Sequence, residues 1–124
     1  MQSYLLVMLG GAVGSGARFA LGNAIAARGS SIFPWSTLAV NIIGCLAMGA
    51  LAGWLARQGG GETVRLLVGV GLLGGFTTFS AFSLDWWQLV ERGAVTAAMV
   101  YAAVTLATTL GALGIGLAAA RAAA

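Results

Sequence analysis

Histidine and lysine are missing from the 124 residues, and cysteine and proline occur once each. One thiol, Cys45, with no histidine beside it excludes disulfides and the usual zinc sites together, and Cys45 reads as packing. Charge is scarce as well. Only 7% of residues are charged, six arginines and three acids scattered singly, for a net charge of +3. No basic patch tracks a phosphate backbone, so nucleic acid is not an expected partner. A polar, proline-rich linker is lacking too, and residues 1–124 are expected to form one domain. The N-terminus has neither a basic n-region nor a small-residue cleavage site, so its apolar run is expected to be retained as a helix.

What the chain has is apolar surface. Hydrophobic residues make up 60% of it and the mean hydropathy is +0.97, far above what a soluble domain of this length could present to water. Its solvent is a lipid bilayer. Windows of about 20 apolar residues, the length that crosses a bilayer core, predict four transmembrane helices: Ser3 to Ala27, Trp35 to Ala56, Val64 to Val90 and Ala94 to Ala120. Ser30, Ser31 and Pro34 mark the first turn, the glycine-rich stretch from Gln58 to Glu62 the second, and Glu91 to Gly93 the third. Trp35, Trp54, Trp86 and Trp87 fall near span ends, where an amphipathic ring prefers the interface.

Cytoplasmic loops normally carry the arginine excess. Here one side holds Arg57, Arg65 and Arg121, and the other Arg28 and Arg92, three against two. So even a balance permits insertion both ways up, and with it an antiparallel homodimer. Small residues let helices approach closely, and Gly10/Gly14, Gly49/Gly53 and Gly71/Gly75 each have GxxxG spacing. The spacing does not say which pairs lie within one subunit.

A polar group without a partner in hydrocarbon costs several kcal/mol, so the polar residues inside the spans are the functional candidates. Arg18 lies well inside the first span. Thr37 and Asn41 are a turn apart in the second; Tyr101, Thr105 and Thr109 form a stripe on the fourth. Threonines can equally bond their own helix or a neighbouring one, and Arg18 can snorkel to the headgroups. The Asn41 amide, with two donors and an acceptor, is harder to satisfy that way. No carboxylate lies mid-span, since Asp85 sits late in the third beside two tryptophans. Proton- or cation-coupled pumps need a buried carboxylate. The buried groups here are cationic or hydrogen-bond donors, a set that suits an anion.

The third span carries the run Gly74-Gly75-Phe76-Thr77-Thr78-Phe79-Ser80-Ala81-Phe82-Ser83. Paired glycines followed by β-branched threonines are poor helix material, so the third helix is expected to break near its middle. Backbone of that kind at membrane depth exposes carbonyls that can hold a cation. Phe79 and Phe82, three apart, share a face. The edge of an aromatic ring is partially positive and can receive a small anion; by spacing alone, the two read first as ordinary core residues.

These residues resemble the Fluc (CrcB) family of fluoride ion channels along the whole chain. The likeness is carried by Gly10-Gly11-Ala12-Val13-Gly14 leading to Arg18-Phe19, by Thr37-Leu38-Ala39-Val40-Asn41-Ile42-Ile43-Gly44, and by Gly74 through Phe82. The resemblance implies an all-α integral membrane protein of the bacterial inner (plasma) membrane that works as an antiparallel, dual-topology homodimer. Two pores would run along its interface, with a structural, untransported sodium ion at its centre. It further implies that Phe79 and Phe82 offer ring edges to fluoride and that Asn41 donates to the ion beside them. Thr37, Ser80, Tyr101, Thr105 and Thr109 would continue the pore, Gly74 and Thr77 would offer backbone carbonyls to sodium, and Arg18 would draw anions into a vestibule. The chain departs from the family pattern at Ala81, where members often have threonine, and in having threonines on the fourth helix where serines are common.

Such a pore replaces lost hydration with donors aimed at the ion, and rigid donors at small radius penalise larger chloride. Nothing in the sequence indicates a nucleotide site or a proton relay, so the expected transport is passive export that relieves fluoride toxicity, and the chain is not expected to be an enzyme. Two rivals share its length. A small dual-topology multidrug transporter would carry a membrane-central glutamate in the first helix, where this chain has glycines and Arg18. In a non-transporting assembly subunit the polar stripes would act as glue.

Overall fold

The computed structural model describes residues 1–123, and every regular element among them is helical. In chain order these are α1 (Gln2–Ala26), α2 (Trp35–Gln58), α3 (Glu62–Val64), a π-wound segment (Arg65–Leu73), α4 (Gly74–Phe76), α5 (Phe79–Glu91) and α6 (Val95–Ala122). Taken with Glu62–Glu91 as one span, four helices are long and apolar enough to cross a membrane. The connections are short because the terminating residues are efficient. Pro34, with its fixed φ and no N–H, stands directly before α2. Gly59 ends α2 and Gly93 follows α5 at φ 75° and 78°, left-handed conformations that an L side chain rarely adopts.

The helices pack as two pairs. α1 lies along the π-wound segment and α4, α2 lies along α6, and α5 sits against α6 and α2. Glycine sets both contacts. A β-carbon at Gly10 or Gly14 would collide with the backbone of Leu67 or Leu72, and one at Gly75 would come within 2.7 Å of the Gly11 carbonyl oxygen. In the other pair, Gly49 meets the Leu113 backbone and Gly116 the Leu46 backbone. All three GxxxG pairs are thus used inside the chain, joining its helices where dispersion and backbone approach replace a hydrophobic driving force.

Between α4 and α5 the chain leaves helical geometry for two residues, Thr77 at φ −80°, ψ 158° and Thr78 at φ −152°, ψ 121°. This extended step hands the backbone from the α1 pair to the α2–α6 pair. A tight apolar cluster of Leu38, Leu89, Ala98 and Tyr101 lies on the far side of the step, with Phe33, Phe82 and Trp86 packed around it. Elsewhere large apolar residues such as Leu9, Leu106 and Ile115 face outward, as a lipid-solvated surface requires. At the end of α6, Arg57 donates from Nη1 to the carbonyls of Ala120, at 2.8 Å, and of Ala123, placing a cation on the negative end of the helix.

Candidate functional site

Thr78 is the hub around which the predicted residues assemble. Asn41, on α2 and only 7% exposed, accepts from the Thr78 N–H through Oδ1 at 2.8 Å and donates from Nδ2 to the Thr78 carbonyl at 2.9 Å. Because one backbone residue supplies both a donor and an acceptor, the amide orientation is fixed by its partners. One Asn41 N–H remains for another acceptor. The Thr78 hydroxyl caps α5 by accepting from the Ala81 N–H at 3.1 Å, and the Ser80 hydroxyl lies 3.3 Å away from it.

One step upstream, the Gly75 carbonyl is taken from the α1 side. Arg18 donates to it from Nε at 3.1 Å, with the Ser15 hydroxyl at 3.5 Å from the same oxygen. Thr77 turns its hydroxyl back onto the Leu73 carbonyl at 3.0 Å, the same oxygen that accepts its N–H. The two sides of the step are therefore held by different helices, α1 at Gly75 and α2 at Thr78.

An open cavity of about 260 Å³ lies on the α6 side of the step, lined among others by Asn41, Cys45, Phe79, Phe82, Thr105 and Thr109. Phe79 and Phe82 share a face as their spacing requires, with ring centroids 5.4 Å apart and planes tilted by 51°. Phe79 is 79% exposed, so its ring is not packed into the core of this chain. On α6, the Thr109 hydroxyl bonds back to the Thr105 carbonyl at 2.6 Å. The Thr105 hydroxyl is buried with no hydrogen-bond partner among the described residues, so a donor and acceptor are left in the cavity wall.

Not every predicted residue gathers there. Thr37 lines a second cavity of about 250 Å³ on the α1 side, with Arg18, Asn23, Ser36, Thr78 and Ala81. Thr78 and its neighbours thus form the wall between the two spaces. Ser80 is exposed beside Thr78 and lines neither cavity. Tyr101 is fully buried, its ring 5.0 Å from that of Phe82 and its hydroxyl donating to Asp85 at 3.2 Å, so it backs the Phe82 ring rather than lining the cavity. Asp85, late in the third span, accepts that bond while lining a small space with Pro34, Gln88 and Arg92 near the helix ends. Gly74 and Thr77 contribute backbone at the step, where no cluster of three or more His, Cys, Asp or Glu exists among the described residues to hold a cation by side chains.

The residues that sequence reasoning passed over are Thr78 and Ser15, together with Cys45 as a cavity-lining group. Thr78 carried a usable signal, since a threonine directly before a helical run is a favoured N-cap. Ser15 carried none, because its partner lies 60 residues away.

Four membrane-length helices, one of them carrying a two-residue extended step near its middle with donors and aromatic rings gathered beside it, define a small multi-pass membrane protein. Residues 5–117 match the family described as CrcB-like protein, Camphor Resistance (CrcB), and the chain belongs to that family. Among its relatives, the Fluoride-specific ion channel FluC of Sphingopyxis alaskensis is 56% identical over 118 residues, 94% of each chain. The protein of the same name from Novosphingobium aromaticivorans is 50% identical over 119 residues, again 94% of each. That from Erythrobacter litoralis is 45% identical over 123 residues, 94% of this chain and 90% of the relative.

Proposed function

We propose that this chain is the subunit of a fluoride-selective channel, in line with the name its relatives share. The observation that carries the reading is the paired Phe79 and Phe82 rings, which line one cavity with Asn41 and its one uncommitted N–H midway along the spans. Ring edges and an amide N–H replace hydration around a small anion, and neither binds so deeply that the ion cannot leave. The unpaired Thr105 hydroxyl extends this set along α6, with Thr109 a turn further on. Ser80 and Thr37 continue the pathway around the step, while Tyr101 supports it from behind. No bond is made or broken, so the protein is not an enzyme. Transport is passive, and a negative cell interior drives the anion outward across the bacterial inner membrane.

The pathway is completed by a second copy in antiparallel orientation, to which the near-even arginine tally and the open sides of the cavity are suited. The Thr77–Thr78 step acts as a working break in the third helix. Because the Thr78 N–H is turned to Asn41, the Gly74 carbonyl four residues back loses its usual helical donor. Neutral carbonyls at Gly74 and Thr77 fit a hard monovalent cation. A sodium ion held there by both copies would be structural, supplying fixed positive charge at the dimer centre. Dimers that assemble and conduct normally after exhaustive replacement of sodium by an organic cation would contradict this part of the reading.

Replacing Phe79 or Phe82 with isoleucine tests the pore directly, with fluoride electrode recordings of efflux from liposomes. The channel reading expects folded, dimeric protein whose fluoride efflux falls by about 100-fold, equivalent to about 3 kcal/mol in barrier height. A scaffold whose polar stripes act only as glue would show no difference between these variants and the parent protein.

A further inference from the structure

The extended step is gripped at both ends, and the upstream grip has no counterpart in the reading above. At the downstream end, Asn41 takes both backbone groups of Thr78. At the upstream end, the Gly75 carbonyl receives the Arg18 Nε–H and faces the Ser15 hydroxyl, two donors one turn apart on α1. Gly75 lies so close to Gly11 of the same helix that no side chain fits between them. Only Phe76 and Thr77 separate the two gripped residues.

We propose that Arg18 is a positioning residue for the ion pathway: with Ser15 it holds the Gly75 carbonyl and so fixes the upstream edge of the extended step, as Asn41 fixes the downstream edge. The proposal rests on the channel reading for what the step does, though the tether itself does not. A charge that only drew anions toward a vestibule would need no fixed partner and would work equally well as lysine. The planar guanidinium instead directs Nε–H at one carbonyl while the side chain lines the α1-side cavity, a geometry that an ammonium on a flexible stem does not reproduce. Holding Gly75 also holds the adjoining Gly74 peptide, one of the two groups assigned to the cation. Lysine keeps the positive charge near that cation, so Arg18→Lys changes the tether while leaving the sign of the local field alone.

The test is fluoride efflux from liposomes over a range of internal fluoride concentrations, comparing the parent protein with Arg18→Lys, Arg18→Gln, Ser15→Ala and, as a control on an exposed loop, Arg28→Gln. A positioning role lowers the maximal rate of Arg18→Lys and Arg18→Gln alike, by about tenfold or more, with half-saturating fluoride within about twofold of the parent. Ser15→Ala lowers it by about threefold, and Arg28→Gln leaves it unchanged. The proposal is overturned if Arg18→Lys conducts like the parent, or if the Arg18→Gln defect is a raised half-saturating concentration that high fluoride repairs. Amide hydrogen exchange of the segment 74–83 in the purified protein decides the tether even where Arg18 variants fold poorly. Ser15→Ala should speed exchange at Thr77 and Thr78, and unchanged exchange there contradicts the tether. A parent protein that fails to pass fluoride at all would sink the channel reading, while the exchange measurement would still report on Arg18 and Ser15.

Discussion

On either side of Thr77 the third helical segment uses opposite materials. Upstream, Gly71 and Gly75 bring its backbone against α1 so closely that they touch Gly10 and Gly11. Downstream, Phe79, Phe82, Trp86 and Trp87 project rings from α5, and the helix makes far looser contact with its neighbours. Close packing and an open, aromatic-lined cavity are thus divided between two halves of one span. The upstream half is an anchor that tolerates no added atoms at Gly71 and Gly75, and the downstream half carries side chains into the space that the anchor leaves open.

The comparison breaks most easily at the anchor. Gly14→Val places carbon where the Leu72 backbone already stands, and neither backbone can move without parting α1 from its partner. Overpacking of this kind costs about 3 kcal/mol, so thermal unfolding in detergent should show a large fall in midpoint or no folded protein. An unchanged midpoint would mean that the α1 contact is looser than described. Asn41→Leu comes next, because it strips both partners from the Thr78 backbone in a buried setting. Two orphaned polar groups cost about 2–4 kcal/mol together, and conduction should fall while the α1 contact survives.

Much of this division was legible beforehand. The four spans, the poor helix material at Thr77 and Thr78, and the shared face of Phe79 and Phe82 all follow from local chemistry: run length, β-branching and a spacing of three. What was not legible depends on distant partners. Asn41 reads as a donor in need of acceptors, yet nothing near it indicates that Thr78, 37 residues on, takes two of its three bonds. Arg18 gives no local sign of choosing the Gly75 carbonyl over the headgroups. Tyr101 falls in register with Thr105 and Thr109, but the groove between α5 and α6 swallows its ring and Asp85 takes its hydroxyl. GxxxG spacing marked surfaces for close approach without naming their partners, which the fold supplies from within the chain.

Two smaller substitutions sharpen the comparison. Thr78→Ala removes the N-cap of α5 but leaves both Asn41 bonds to the backbone, so it should cost about 1 kcal/mol and speed hydrogen exchange over the first turn of α5 alone. Exchange spreading into Arg65–Leu73 would show that the halves are coupled more tightly than their contacts imply. Arg57→Ala, far from the step, removes a cation from the α6 terminus and should cost about 0.5 kcal/mol, read as a small drop in unfolding midpoint with fluoride efflux unchanged. A loss of efflux in that variant would tie the α6 end to the pathway.

The most direct test of the account is the efflux of fluoride and of chloride, in parallel, from liposomes containing the purified protein. Rapid fluoride loss with negligible chloride loss is the predicted result. Folded protein that releases neither ion, or both at similar rates, would contradict a fluoride pathway built on Phe79, Phe82 and Asn41.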